Sequence, residues 1–240
     1  MLILSDIHAE TDMILNWAHP SDFFKFSQEK YCIQLGDFGL WFSNKTDKFE
    51  ESTLDYINEV LKQNDKVLFT ILGNHDCWPR YYHLETCNDW DFKTWKLRDC
   101  IYVIQPGEIV QLEEKSFLCI GGADSHDKEW RMQYEADYGE AIWWAEETIS
   151  DAEIENAKKN LEVRDFKVDY ILTHCPPATF IAKSNLYPNP IYADSEKRLD
   201  EILEIATFKE WFCGHVHKSC EIETGGKKIT SLSIDGIVRI

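Results

Sequence analysis

The sequence lacks the features that define several common classes of protein. Its 240 residues include no apolar run of membrane-spanning length, and no basic stretch followed by an apolar core opens the chain. No internal repeat or low-complexity linker interrupts it, which argues against a repeat array or a string of separate domains. We therefore expect one soluble, cytoplasmic domain over residues 1–240, with no membrane association.

Cysteine pairs of the C-x-x-C type are also missing. Eight cysteines occur, but they show neither zinc-ribbon spacing nor the density of a small disulfide scaffold. Several lie inside apolar runs, for example Cys32 in YCIQL and Cys119 in SFLCIGG. This placement predicts buried free thiols.

Basic residues are scarce relative to acidic ones. Lysine and arginine together number 25 against 43 aspartates and glutamates, which gives a formal net charge of −18. Such a surface repels nucleic-acid phosphates and anionic membranes over long range, unless bound metal ions reverse the sign locally. Long nucleic acid is therefore disfavoured as a partner, and a small soluble substrate is favoured.

Short apolar runs that end in Gly, Asp, Asn or His recur along the chain and predict buried strands. They are LILSD, YCIQLGD, KVLFTILGN, SFLCIGGAD, VDYILTH and EWFCGH. Helical patterns cover 47–64 and 150–162, and the second opens with Ser150 and Glu153 at capping-box spacing. The C-terminal stretch from Ser219 predicts strand, Gly-Gly turn, strand and a further strand. The pattern indicates an α/β fold, with a mixed sheet or two stacked sheets and helices outside.

Polar side chains follow five of these strands at the point where each strand ends. The set is Asp6 and His8, then Asp37, then Asn74, His75 and Asp76, then His174, and finally His215 and His217. Residues i and i+2 of an extended segment point to the same face, so D-x-H and H-x-H each direct two donors to one side. Taken alone, each motif is more simply a polar turn. Together they indicate a ligand site at the carboxyl ends of sheet strands.

The donor set predicts two metal ions rather than one. Seven oxygen and nitrogen donors exceed the needs of one tetrahedral ion and suit two adjacent ions with open positions: Asp6, His8, Asp37, Asn74, His174, His215 and His217. Asp37 lies midway along this series and is the candidate bridging ligand. Two aspartates and a bridging hydroxide leave two divalent ions with a charge of about +1, which attracts a phosphate oxyanion.

These five motifs, in this order, resemble those of the calcineurin-like metallophosphoesterase superfamily, over nearly the whole chain from Asp6 to His217. The resemblance implies a two-sheet β-sandwich flanked by helices. It also implies two divalent transition-metal ions, Mn²⁺ first and iron or zinc as alternatives. One ion would be held by Asp6, His8, Asp37 and His217, and the other by Asp37, Asn74, His174 and His215. His75 would be the catalytic histidine, protonated and oriented by Asp76, while a metal-bridging hydroxide attacks phosphorus in line.

Two further segments are candidates for cap or substrate loops. Residues 122–149 resemble a stretch of bacterial and phage-type members, G-G-A-x-S-x-D-K-x-W-R with a later W-W-x-E-E, and Arg131, His126 and Lys128 are candidates for binding the substrate phosphate. Alternatively, Arg131 pairs with a nearby carboxylate and His126 is simply exposed. Residues 77–98 are rich in aromatic rings, which form either a stacking wall for a base or, as we favour, core or a packed cap.

The motifs together predict a metal-dependent hydrolase of phosphate esters, a phosphodiesterase or phosphatase that acts on a small soluble or nucleotide-type substrate. They do not separate diester from monoester substrates. A phosphoprotein phosphatase is the main alternative, and a catalytically silent binding module of the same fold is a further one. The native substrate and the oligomeric state stay open.

Overall fold

The computed structural model of the chain describes residues 1–19, 28–188 and 192–240. The helices of these residues are α1 (Asp12–Ala18), α2 (Lys48–Gln63), α3 (Trp78–Tyr82), α4 (Lys128–Tyr138), α5 (Asp151–Glu162), α6 (Ala178–Ser184) and α7 (Asp194–Ile205), with a 3₁₀ turn at Ala145–Glu147. The strands are β1 (Leu2–Leu4), β2 (Tyr31–Gln34), β3 (Val67–Thr70), β4 (Thr86–Cys87), β5 (Thr94–Arg98), β6 (Ile101–Ile104), β7 (Glu108–Leu112), β8 (Lys115–Ile120), β9 (Tyr170–Thr173), β10 (Glu210–Cys213), β11 (Cys220–Thr224), β12 (Lys227–Ser231) and β13 (Ile237–Arg239).

Two mixed sheets form the centre of the fold. In the described part of the chain, the first sheet has the strand order β13-β1-β2-β3-β6-β5-β4, and β1, β2, β3 and β6 pair in parallel. The second sheet has the order β11-β12-β10-β9-β8-β7, and β12, β10, β9 and β8 pair in parallel. Antiparallel strands flank both parallel centres.

Alternation along each strand separates an inner core from two outer cores. On β1, Ile3 joins the cluster between the sheets, whereas Leu2 and Leu4 join the cluster that contains residues of α1 and α2. On β10, Phe212 joins the inner cluster, and Trp211 packs with residues of α5, α6 and α7. Helices therefore cover the outer face of each sheet, which confirms the predicted two-sheet β-sandwich flanked by helices.

The two helices predicted from periodicity are present. α2 begins after Asp47, whose carboxylate accepts from the Phe49 N–H, and α5 has the predicted capping box between Ser150 and Glu153. The C-terminal hairpin is also present, and both glycines of its turn have positive φ. All eight cysteines are free thiols, most of them buried, as predicted. Within the ranges described, no helix combines the length and the apolar character needed to cross a membrane.

Residues 77–98 form the edge of the first sheet. They contribute α3, β4 and β5, and Trp78, Tyr81 and Trp95 are buried in the outer core. Trp78 Nε1 donates to the Gly73 carbonyl at 2.9 Å, so this core also supports the loop after β3. Large aromatic rings gain from burial, and the burial of these three rings fits the interpretation of the segment as packed core.

Candidate metal centre

The candidate site lies where parallel strands of both sheets end. β1, β2 and β3 are adjacent in the first sheet, and β9 and β10 are adjacent in the second. Each of these strands is followed by predicted donors, namely Asp6 and His8, Asp37, Asn74, His174, and His215 and His217. Because parallel strands place their carboxyl ends at one edge, residues far apart in sequence meet there.

Four side chains form the first group of donors. One ligand atom each of Asp6, His8, Asp37 and His217 lies within 4.8 Å of the others. His217 Nε2 is 3.0 Å from His8 Nε2 and 3.3 Å from Asp6 Oδ2. His8 Nε2 is 3.7 Å from Asp37 Oδ2. These are the four residues that the resemblance assigns to one ion.

A second group of donors shares Asp37 with the first. Ligand atoms of Asp37, His174 and His215 lie within 4.8 Å of one another. His174 Nε2 is 3.3 Å from Asp37 Oδ1 and 3.1 Å from Asn74 Oδ1. The two oxygens of Asp37 thus face different groups, Oδ2 toward His8 and Oδ1 toward His174.

The chemistry and spacing of these donors fit two divalent transition-metal ions. Two ligands that each lie about 2.1 Å from one ion are about 3.0–3.4 Å apart, close to the separations between these donor atoms. The two groups combine imidazole, carboxylate and amide ligands without thiolate, which suits manganese, iron or zinc. The residues present therefore fit the ions that the resemblance implies.

Several of the donors have a backbone conformation that non-glycine residues rarely adopt. The φ angle is 45° at His8, 53° at Asp37, 63° at His215 and 54° at His217. Left-handed backbone of this kind costs about 1–3 kcal/mol per residue and persists only where the surrounding structure fixes it. Strain gathered on donors from three loops supports the interpretation of this cluster as a functional site.

Glycines allow the backbone to approach the two buried aspartates. A Cβ atom on Gly214 would collide with Asp6 Oδ1, and a Cβ atom on Gly73 would collide with Asp37 Oδ1. The His215 N–H donates to Asp6 Oδ2 at 2.8 Å. The glycine of G-H-x-H and that of G-N-H-D are therefore needed for close packing around the carboxylates.

Two buried carboxylates in this site need positive charge nearby. Burial by itself raises the pKa of Asp37, but the charge and hydrogen bond of His174 outweigh burial and hold the pKa well below its usual range. Burial lowers the pKa of His174, yet Asp37 and Asp6 together raise it to about 9. Positive charge beside the two aspartates is what a proton on His174, or divalent ions, would supply. Burial and the charge of His174 hold the pKa of His215 well below its usual range, which leaves His215 neutral.

The structure corrects the expected pairing of His75 with Asp76. Asp76 is fully buried, and its two oxygens accept backbone N–H groups, from Gly73 at 2.8 Å and from Gly39 at 3.1 Å. Asp76 therefore ties the loop after β2 to the loop after β3 instead of orienting the imidazole. Burial lowers the pKa of His75 to about 4, so the ring is neutral in the metal-free chain rather than protonated.

Arg131 is the partner that His75 has instead. Arg131 Nη2 lies 2.8 Å from His75 Nε2, Nη1 donates to the Asn74 carbonyl at 2.7 Å, and Nε lies 2.8 Å from Asp127 Oδ1. Only 1% of the Arg131 side chain is exposed. Because a guanidinium can only donate, this contact requires an unprotonated His75 Nε2. Nη1 and Nη2 of Arg131 thus both have protein partners, and the guanidinium forms an ion pair with Asp127, as in the alternative in which Arg131 pairs with a carboxylate.

His126 and Lys128 have different surroundings although they are two residues apart. The His126 ring lies 6.0 Å from the His215 ring, in a stacked arrangement, and lines the cavity in front of the donors. Lys128 is exposed, and its Nζ lies 4.0 Å from the centre of the Trp143 ring. Substrate binding stays a prediction for both His126 and Lys128.

Two residues that the sequence did not single out support Asn74. Asn74 Nδ2 donates to Ser125 Oγ at 3.2 Å, while its Oδ1 faces His174. Glu147 Oε1 accepts from the Ser125 N–H at 2.7 Å and from Trp143 Nε1 at 3.1 Å. Burial raises the pKa of Glu147 to about 7. In the sequence, Ser125 belongs to S-x-D-K and Glu147 to W-W-x-E-E. Their support of Asn74 could not be predicted from these motifs, because it depends on the fold that brings both segments beside G-N-H-D.

A cavity of about 480 Å³ opens in front of the donors. Its wall includes candidate ligands of both groups, His75, and three residues of the segment 122–149, namely His126, Asp127 and Arg131. The segment 122–149 therefore reaches the cavity, and its role as a substrate loop stays a prediction. Of the described residues in 77–98, none lines it.

The two helix-flanked sheets and the donor cluster at their strand ends define the αββα metallophosphoesterase class of fold. A family model of the calcineurin-like phosphoesterases matches residues 1–219. The chain therefore belongs to the calcineurin-like phosphoesterase family. Among curated proteins, none gives a significant match.

Solved structures share this fold at low sequence identity. TT1561 from Thermus thermophilus has a TM-score of 0.52 and 8% identity, with 97% of this chain and 89% of that chain covered. Phosphopantetheinyl hydrolase (PptH) from Mycobacterium tuberculosis has a TM-score of 0.50 and 12% identity, with 98% and 89% covered. At these identities the likeness is one of fold.

Proposed function

We propose that the chain is a dinuclear-metal-dependent hydrolase of small phosphate esters. The observation that carries the proposal is the position of Asp37, whose two oxygens face two different groups of donors. A carboxylate in this position can be shared by two adjacent ions. Asp6, His8 and His217 would complete one set of ligands, and Asn74, His174 and His215 would complete the other.

Two bound divalent ions would supply positive charge for phosphate oxygens and would lower the pKa of a water molecule. The remaining chemistry falls to side chains around the ligands. The His75 ring stacks on Phe42 at 5.6 Å and meets the edge of His8 at 4.8 Å, so it is held against the first donor group. Because Arg131 engages Nε2, the imidazole retains Nδ1–H to donate a hydrogen bond to an ester oxygen.

The size of the cavity and the charge of the chain both favour a small substrate. A volume of about 480 Å³ falls inside the range of roughly 300–1,000 Å³ typical of small-molecule sites. The net charge of −18 disfavours a long polyanion, which would be repelled everywhere except at the metal ions. A nucleotide or another small phosphate ester satisfies both conditions.

The proposal is tested by assaying metal-depleted protein, before and after reconstitution with Mn²⁺, on bis(4-nitrophenyl) phosphate and on 4-nitrophenyl phosphate. We expect hydrolysis that depends on added metal. The ratio of the two kcat/KM values then assigns the chain as a phosphodiesterase or a phosphatase. Hydrolysis of neither ester with manganese, iron or zinc would contradict the proposal and favour a silent binding module. Faster hydrolysis of a phosphopeptide than of either ester would favour a phosphoprotein phosphatase.

A further inference from the structure

One part of the cavity wall differs in chemistry from the donor groups. It consists of Ile181, Tyr187, Glu196 and Val216, which we call the distal wall. Val216 lies between His215 and His217 in the chain, so the apolar part of the distal wall adjoins candidate ligands of both groups. Ile181 and Val216 are buried, and Tyr187 is partly exposed. A phosphate held by the metal ligands would therefore have an apolar surface beside it.

Glu196 is an acidic residue in this otherwise apolar wall. It is 5% exposed, and its Oε2 accepts from the Ala193 N–H at 2.9 Å at the start of α7. Within the described residues, Oε1 has no hydrogen-bond or ion-pair partner. Burial raises the pKa of Glu196 to about 7, and the charges of Asp124 and Asp200 act in the same direction. An N–H donor from a ligand would favour the charged form of this carboxyl and occupy its open oxygen.

Tyr187 and Glu196 face the same space. Burial raises the pKa of Tyr187, and the negative charge of Glu196 adds to that effect. Lys218 Nζ lies 5.5 Å from the centre of the Tyr187 ring. The distal wall thus offers an aromatic ring, two aliphatic side chains and one carboxylate oxygen that can accept a hydrogen bond.

We propose that the distal wall binds the organic group of the phosphate ester and that this group presents an N–H donor to Glu196 Oε1. The inference rests on the proposed function, since it assumes that the phosphate lies at the metal ligands. A carboxylate accepts most strongly from a charged or polarised N–H, and an ester without that donor would leave Glu196 unpaired. Aminoalkyl groups and nucleobases with an exocyclic amino group both supply this chemistry.

The first experiment compares the 2-aminoethyl and propyl esters of 4-nitrophenyl phosphate, which differ by an ammonium group in place of a methyl group. We expect the reconstituted protein to prefer the amino ester by about tenfold or more in kcat/KM, the value of a charge-assisted hydrogen bond. Glu196→Gln retains an acceptor for the Ala193 N–H and should abolish most of that preference. Glu204→Gln, at an exposed position of the same helix, is the matched control and should keep it.

A second pair of esters distinguishes the two sources of the donor. It consists of the 4-nitrophenyl esters of adenosine 5′-phosphate and of the analogue whose purine lacks the amino group. A preference in the first pair only, lost in Glu196→Gln, identifies an aminoalkyl group as the donor. A preference in the second pair only, also lost in Glu196→Gln, identifies the amino group of a nucleobase. Equal rates within both pairs, or a preference that survives Glu196→Gln, would overturn the inference and leave the proposed function standing.

A binding measurement that needs no turnover tests the distal wall independently of the proposed hydrolysis. Calorimetric titration with 2-aminoethyl phosphate and propyl phosphate should give about tenfold tighter binding of the amine, again lost in Glu196→Gln. If no ester is hydrolysed but this difference in affinity is present, the proposed reaction fails and the distal wall still recognises an amine. Equal affinities would contradict the distal wall's role.

Discussion

Arg131 Nη2 lies 2.8 Å from His75 Nε2, and the same guanidinium donates to the Asn74 carbonyl at 2.7 Å. One buried arginine on α4 therefore fixes two consecutive residues of the G-N-H-D motif, one a candidate metal ligand and the other the candidate catalytic histidine. Asp127 anchors the guanidinium from the residue just before α4, at 2.8 Å. From these contacts we propose that Arg131 positions the site rather than binding the substrate phosphate directly.

Arg131→Lys should lower kcat by about tenfold or more while the metal content is retained, because an ammonium cannot reach three differently placed partners at once. The KM value should change less, since Arg131 does not hold the substrate directly. Steady-state kinetics and metal analysis check this. Arg164→Lys, an exposed position, is the control. A large rise in KM with unchanged kcat would instead favour direct binding of the substrate phosphate by Arg131.

His75→Asn should lower turnover by about two to three orders of magnitude, the range expected when one positioned hydrogen-bond donor to the reacting oxygens is lost. Metal content should not change, because His75 belongs to neither donor group. The exposed His83→Asn variant should behave as the unmodified chain does. Near-normal turnover of His75→Asn on an ester with a poor leaving group would overturn the catalytic assignment.

The sequence predicted the fold and the donor set because each depends on local patterns. Apolar runs that end in Asp, Asn or His specify both a buried strand and the polar residue at its carboxyl end, as at β1 with Asp6. The partners of Asp76 and Arg131 were not predictable in this way. Asp76 accepts hydrogen bonds from the backbone N–H groups of Gly73 and Gly39. Gly39 lies in the loop after another strand, and the position of that loop's backbone cannot be predicted from a sequence motif.

Segments without strong periodicity were the least predictable. Arg131 is the one buried residue of helix α4. The sequence of this helix therefore lacks the apolar face from which a packed helix is usually predicted. Its position beside the site depends on tertiary contacts that link Arg131 to Asn74 and Ile142. The aromatic segment 77–98 had the opposite difficulty, since aromatic side chains suit both a stacking wall and a core until burial is known.

Glu147→Gln should make the protein less sensitive to alkaline pH. Since burial raises the folded-state pKa of Glu147 to about 7 from an ordinary value of 4.5, its contribution to stability is complete below pH 4.5 and is lost as pH rises through 7. The variant should therefore gain stability relative to the unmodified chain between these pH values, by about 1–3 kcal/mol. Urea unfolding at pH 5 and pH 8 measures the difference.

The exposed Glu146→Gln variant, one residue away, is the control for Glu147→Gln, because it removes one charge from the same segment without changing a buried group. A Glu147→Gln profile parallel to that of the unmodified chain would show that the burial of this carboxyl carries no pH-dependent penalty.

Whether two metal ions share Asp37 is tested most directly by the metal stoichiometry of the protein after reconstitution with Mn²⁺. We predict about two ions per chain for the unmodified protein and for the exposed Asp137→Asn control, and a loss from both sites together, to below about one ion, for Asp37→Asn. Full occupancy and unchanged hydrolysis in Asp37→Asn, or a single ion in the unmodified chain, would contradict the shared carboxylate.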